Sequence, residues 1–222
     1  MNNIASFLDL ANHHPNATNQ DIKKICDLVI KHQFNAAFVN PYYIAYAKEQ
    51  LQGQRKVGTV VSFPLGQELL AIKIDSARRA AIAGADELDV SLNVGLIKEA
   101  RWHDLSTEMV EIIAAARSIN EHIIVKFIPE TGYLISDEIK KIAELMVQAG
   151  ADFLKTCSGM GPRNAMLEDV ALIRAAVGAS IKVKVAGGIS NYAQALAFIN
   201  AGADRIGTSR AVEIITEQLK NC

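Results

Sequence analysis

Apolar positions along the chain follow two alternating periodicities. Segments with apolar residues at helical spacing, such as Ile139, Ile142, Met146 and Ala149, give way to short aliphatic runs of strand length. The junction repeats itself: Ala83-Gly84-Ala85-Asp86, Ala149-Gly150-Ala151-Asp152 and Ala201-Gly202-Ala203-Asp204 each close a helical pattern and open an apolar run. Glycine in that position reads as the end of a helix, so the unit is helix, glycine, strand. Extending it predicts eight strands at residues 6–10, 35–40, 57–63, 86–91, 122–128, 152–156, 181–186 and 204–207. Their starts recur about every 28 residues, the size of one strand-helix repeat. Eight such repeats predict a parallel sheet closed into a single-domain α/β (β/α)8 TIM barrel over residues 1–222.

Helix-start signals fill the gaps. Thr18 precedes Ile22, Ile25 and Val29; Pro41 suits a first turn; Ser136 precedes an acidic first turn; Ser190 precedes an Ala-rich segment ending at Ala201. No Ser/Gly linker, charge block or low-complexity tract divides the chain.

Composition adds exclusions. With 23 Lys plus Arg against 24 Asp plus Glu, the net charge of −1 gives no electrostatic reason to expect nucleic acid or an anionic membrane as partner. Half of the residues are hydrophobic and only 6% aromatic, which suits helices packed on buried strands. Cys26, Cys157 and Cys222 are too far apart for a metal knuckle and odd in number for a disulfide framework, so free thiols and a cytoplasmic location are expected. Residues 1–9 lack the order of a signal peptide, and no apolar stretch reaches membrane-spanning length.

In a barrel of this kind side chains alternate between the interior and the helices, and chemistry gathers at the C-terminal ends of the strands. Phe153 and Lys155 share one parity. Ile181, Val183 and Val185 take the helix-facing side of the seventh strand, leaving Lys182 and Lys184 inward. Lys155 and Lys184 therefore lie on neighbouring strands roughly 5 Å apart. Burial and a second ammonium both disfavour charge, and together they would bring a lysine from about 10.4 toward about 7 to 8, where the free amine attacks carbonyls. The bland alternative pairs each lysine with a carboxylate or lets it reach out of the barrel mouth; two on adjacent strands weigh against it. Lys182, nearer the strand start, is expected to be exposed at the opposite face. Asp89 is inward by parity and is the expected proton-transfer partner of imine chemistry, the simpler reading being a salt bridge that only holds Lys184. Lys126 shares the inward parity and is expected to balance charge.

Two segments suit an anion. Gly187-Gly188 leads through Ile189 and Ser190 into a helix, and Gly207-Thr208-Ser209 opens the last one. Phosphate sites after strands seven and eight recur in such barrels, and Gly159 and Gly161 are placed to complete the cradle. His13, His14, His32, His103 and His122 lack metal-ligand spacing and read as surface or loop residues, so no metal or other cofactor is expected.

These residues resemble the deoxyribose-phosphate aldolases, class I aldolases on a (β/α)8 barrel. The likeness spans most of the chain. It rests on Thr59-Val60-Val61-Ser62-Phe63-Pro64-Leu65-Gly66, Gly84-Ala85-Asp86-Glu87-Leu88-Asp89-Val90, the run from Lys126 to Gly132, Gly150-Ala151-Asp152-Phe153-Leu154-Lys155-Thr156, Lys184-Val185-Ala186-Gly187-Gly188-Ile189, and Arg205-Ile206-Gly207-Thr208-Ser209. The resemblance implies Lys155 as Schiff-base nucleophile, Lys184 as the neighbour that keeps it uncharged, and Asp89 as acid-base residue with water. It also implies phosphate binding through backbone at Gly159, Gly187, Gly188 and Ser209, and a supporting Asp9. The implied reaction is reversible cleavage of 2-deoxy-D-ribose 5-phosphate to acetaldehyde and D-glyceraldehyde 3-phosphate, without a metal. Sugar phosphate and aldehyde are then the partners, and a homodimer stays open. The chain departs from the family at Leu10-Ala11-Asn12, where a His-Thr-Leu-like run is usual, and at Phe38, where many members carry a cysteine. Further departures are Pro129, Cys157-Ser158, and Arg210, which is placed to add a charge to the phosphate site. Other class I aldolases or transaldolase-like enzymes, and a sugar-phosphate-binding barrel without catalysis, are the competing readings.

Overall fold

In a computed structural model, which describes residues 3–220, the predicted alternation is realised strand by strand. The order is β1 (Leu8–Asn12), α1 (Asn19–His32), β2 (Ala36–Val39), α2 (Ile44–Leu51), β3 (Lys56–Val61), α3 (Leu70–Ile82), β4 (Glu87–Ser91), α4 (Val94–Lys98), α5 (Trp102–Arg117) and β5 (Ile124–Ile128). It continues through α6 (Ser136–Gln148), β6 (Phe153–Lys155), α7 (Leu167–Val177), β7 (Lys182–Ala186), α8 (Tyr192–Asn200), β8 (Arg205–Thr208) and α9 (Ala211–Lys220). The strands pair in parallel in chain order, and β8 returns to β1 with Leu8 opposite Ile206, which closes the barrel. Cys222 lies outside the described residues, and Cys26 and Cys157 are free, buried thiols. No described helix is long and apolar enough to cross a membrane.

The threefold Ala-Gly-Ala-Asp junction has a physical explanation. Gly84, Gly150 and Gly202 take left-handed φ values of 98°, 79° and 107°, which a side chain would strain. The amides of Ala85, Ala151 and Ala203 then reach back to Ala80, Met146 and Phe198, satisfying carbonyls the helix end leaves open. Each aspartate finishes the unit by accepting a hydrogen bond from a neighbouring strand: Asp86 from Val57 N (2.8 Å), Asp152 from Val125 N (2.8 Å) and Asp204 from Val183 N (2.7 Å). The motif is thus a register pin between successive strands.

The apolar core lies between sheet and helices. Leu88, Val90, Val183 and Val185 face outward and are fully buried against helix residues such as Met109, Ile112 and Ile142. The inward face instead buries Asp9, Glu87, Asp89, Lys126 and Lys184. Thr18 caps α1, its hydroxyl accepting from Asp21 N while Asp21 Oδ2 accepts from Thr18 N at 2.9 Å. The first strand begins two residues later than expected, because Ala5–Phe7 form a 3-10 turn; apolar density alone does not separate the two. Helix α8 is capped by Asn191, whose side chain accepts from Gln194 N at 2.9 Å, so Ser190 lies outside it.

Candidate active site

Parity and register together decide what meets inside the barrel. Phe153 pairs with Lys182 and Lys155 with Lys184 along β6 and β7, so both Lys155 and Lys184 stand at the C-terminal end while Lys182 is exposed at the other. Asp89 is drawn in from β4. Its Oδ2 lies 3.0 Å from Lys155 Nζ and accepts from Lys184 Nζ at 2.9 Å, so one carboxylate oxygen is shared by the two amines. Its Oδ1 sits 3.1 Å from Lys126 Nζ.

Beneath this triad the polar interior continues. Lys126 donates to Glu87 Oε2 at 2.6 Å, and Lys184 also reaches Asp9 Oδ2 at 2.8 Å. Asp9 Oδ1 in turn accepts from Arg205 (2.9 Å) and Asn35 (2.8 Å). Aromatic rings fill the remaining interior space. Phe38 lies under Lys184 and Lys126, and Phe153 under Lys126, Lys182 and Arg205.

Burial alone would push the Asp89 carboxyl up, but the Lys126, Lys155 and Lys184 ammonium groups outweigh it and hold it well below the ordinary carboxylate value. Glu87 behaves alike: burial opposes ionisation, Lys126 and Arg205 prevail, and it falls to about 2. Burial likewise disfavours a charged Lys126, yet Asp89, Glu87 and Asp9 hold it above the usual lysine value. Lys184 goes the other way. Burial lowers it, and repulsion from Lys126 and Lys155 adds to that against the pull of Asp89 and Asp9. Asp9 is raised, burial exceeding the attraction of Lys184 and Arg205.

A cavity of about 340 Å³ opens above these groups. Its wall includes Asp89, Lys155 and Lys184 together with Gly159, Gly187, Gly188 and Ser209. Asp9 and Lys126 do not line it; they lie below, in contact with residues that do. Gly188, at φ 79°, must be glycine: a Cβ there would come within 2.3 Å of the Asn164 side chain. Gly187 and Gly159, at φ 101° and 87°, let the loops after β7 and β6 approach until a Cβ on Gly159 would be 3.7 Å from the Gly187 Cα.

Two sequence expectations are corrected here, and two others are refined. Gly161 is not part of the lining; it packs on Glu130, whose Oε1 a Cβ would meet at 2.6 Å. The Ser190, Tyr192 and Gln194 amides are already taken by Gln194, Glu217 and Asn191, so the start of α8 is not the open anion site its sequence implied. Arg210 stands in the cavity wall next to Ser209, where it was expected, and there pairs with Glu213 at 3.1 Å across one exposed helical turn. His13 is a loop residue, as expected, just past the end of β1, but it is half-buried and close to the chemistry. It lines the cavity, its Nδ1 is buried without a hydrogen-bond partner, and its ring lies 5.3 Å from that of Phe63. Burial, reinforced by the charge of Lys155, lowers His13 to about 3. The signal was available: Asp9, Ala11 and His13 share parity, so carrying the alternation past the strand end places His13 at the mouth.

A larger cavity of about 940 Å³ lies outside the barrel between α2 and α3 and meets the first at His13, Phe63 and Met160. It contains none of the three charged groups that share the Asp89 centre.

Residues 4–210 match the model of the DeoC/LacD family aldolases. A curated deoxyribose-phosphate aldolase of Thermococcus gammatolerans is 44% identical over 215 residues, covering 96% of this chain and 95% of that protein. The solved structure described as "QR15, an Aldolase" superposes with a TM-score of 0.93 at 36% identity, covering 100% of this chain and 98% of that one. A deoxyribose phosphate aldolase from Aeropyrum pernix, described as a unique tetrameric structure, gives 0.89 at 29% identity over 99% and 92%.

Proposed function

We propose, from the premise that the chain belongs to the DeoC/LacD family of aldolases, that it cleaves 2-deoxy-D-ribose 5-phosphate reversibly to acetaldehyde and D-glyceraldehyde 3-phosphate through an imine on Lys155. The observation that carries this reading is the shared Asp89 oxygen, with Lys155 at 3.0 Å and Lys184 at 2.9 Å beneath a glycine-lined wall.

The chemistry follows from the charges. The neutral amine is the form of Lys155 that attacks. In that form the interior holds the cations Lys126, Lys184 and Arg205 against the carboxylates Asp9, Glu87 and Asp89. The amine adds to C1 of the open-chain sugar, and loss of water from the carbinolamine leaves an iminium. Asp89, kept ionised by the ammonium groups of Lys126 and Lys184, is placed to accept and return the protons of these steps directly or through water. Removal of the C3 hydroxyl proton breaks C2–C3, whose electron pair moves into the iminium. D-Glyceraldehyde 3-phosphate leaves, and an enamine stays on Lys155. Protonation at C2 and hydrolysis then release acetaldehyde and restore the amine. Backbone at Gly159, Gly187, Gly188 and Ser209 holds the phosphate, whose binding energy positions C1 at the lysine.

The test is a coupled assay of both products from 2-deoxy-D-ribose 5-phosphate. Purified protein should release them in equal amounts, and Lys155→Ala should abolish release with its circular dichroism spectrum unchanged. Failure of the parent protein to form either product, or near-parent activity in Lys155→Ala, overturns the reading.

A further inference from the structure

Lys184 does not rest on carboxylates alone. Its Nζ stands 3.4 Å from the centroid of the Phe38 ring, and Lys126 Nζ stands 4.8 Å from the same centroid. Phe38 is 1% exposed and forms part of the cavity wall beside Asp89, Lys155 and Lys184. The ring occupies that place because of its neighbour on β3. Phe38 pairs in register with Gly58, and a Cβ on Gly58 would lie 2.3 Å from the ring Cζ. Gly58 thus leaves an opening of side-chain size, and the Phe38 ring fills it. A second glycine makes room for the same side chain: a Cβ on Gly207 would lie 2.9 Å from Lys184 Cε.

An aromatic face attracts a cation, most strongly where water is excluded. We propose that Phe38 is a positioning residue of the reaction: its ring face holds the Lys184 ammonium charged and in place beside Lys155, and Gly58 is glycine so that the ring can lie there. This rests on the reading in which Lys184 works as a cation next to the imine-forming lysine.

The charged and titratable groups around Lys184 come from several strands. Asp9 and Asp89 attract it from β1 and β4, and Glu87 lies deeper on β4. Lys126 and Lys155 repel it from β5 and β6, Arg205 stands opposite it on β8 and shares Asp9 with it, and His13 faces it from the segment after β1. Among them the carboxylates hold the ammonium by charge, and the ring holds it by its face. Burial and two like charges work against the protonated form of Lys184, so a further contact that favours this form has a measurable effect.

The test grades the ring's electrostatics without changing its size. Phenylalanines carrying one, three and five ring fluorines are incorporated at position 38, alongside Phe38→Leu. Two readouts are taken. One is the titration midpoint of Lys184, followed by carbon-detected NMR of lysine Cε and assigned by the signal lost in Lys184→Met. The other is the alkaline limb of kcat/KM. The midpoint is expected to fall stepwise with fluorination and by about one pH unit in Phe38→Leu, with the alkaline limb moving in parallel. An unchanged Lys184 midpoint across the fluorinated series makes Phe38 a space-filler and overturns the inference. A midpoint that falls while the limb stays still leaves the ring's hold on the charge intact. That outcome refutes instead the reading in which the reaction uses the charge.

Discussion

Lys126 is the residue whose loss the polar interior should tolerate least, and replacing it with methionine tests the charge arithmetic of the barrel. The side chain is 0% exposed, 2.6 Å from Glu87 and 3.1 Å from Asp89, both also fully buried. Lys126→Met keeps the stem volume and leaves two buried carboxylates without their nearest cation. Breaking a buried pair from one side costs about 3–5 kcal/mol. Against a total stability of roughly 5–15 kcal/mol, that is a large fraction, and for a chain of this size it corresponds to about 6–20 °C in Tm. The sign of the pH dependence is fixed by Glu87. Its folded-state value of about 2 lies below the ordinary 4.5, so its contribution is complete above about 4.5 and is lost as the pH falls through about 2. Without Lys126, Glu87 protonates more readily, so the deficit of the variant should be largest at neutral pH and narrow as the pH drops through the window between those values. Urea unfolding of both proteins at pH 7 and at pH 4 measures it. Lys155→Met is the contrast. Lys155 is one of three lysines gathered on the single Asp89 carboxylate and works against the charge of Lys184, so removing it should cost less stability than Lys126→Met while turnover is lost. A Lys126→Met deficit below about 1 kcal/mol at pH 7, or one that does not vary with pH, refutes the reasoning.

Three further outcomes are expected. Gly188→Ala forces a Cβ to within 2.3 Å of Asn164 at a left-handed φ, so KM for the phosphorylated sugar should rise about tenfold or more with a smaller change in kcat. Gly207→Ala places a methyl group 2.9 Å from Lys184 Cε, and should lower kcat about a hundredfold while the thermal midpoint moves little. Because His13 is lowered to about 3, its ring is neutral throughout the working range, so His13→Gln should change KM or kcat without altering the shape of the pH-rate profile between pH 5 and pH 8.

What the sequence made legible was what alternation controls. A period of two placed Lys155, Lys184, Asp89 and Lys126 inward, and the Ala-Gly-Ala-Asp junctions marked three of the strand starts; the structure agrees on each. What stayed hidden depends on the third dimension. Sharing of one Asp89 oxygen by two amines needs the barrel's stagger as well as its parity. The Phe38–Gly58 complement joins residues of two strands whose relation only register reveals. The lack of metal spacing around His13 says nothing about its burial, and the turn at Ala5–Phe7 has the same apolar density as a strand. The open helix start expected after Gly188 is absent for a local reason: Asn191 and Gln194 are capping residues, and they occupy the amides of Gln194 and Ser190.

The central claim is that a carbon substrate becomes covalently attached to one lysine of the barrel. Reduction with sodium borohydride during turnover of 2-deoxy-D-ribose 5-phosphate, followed by peptide mass mapping, tests it most directly. The account predicts a two-carbon ethyl adduct on the peptide carrying Lys155 and none on those carrying Lys126, Lys182 or Lys184. Turnover without any reducible adduct, or an adduct confined to Lys184, would contradict it.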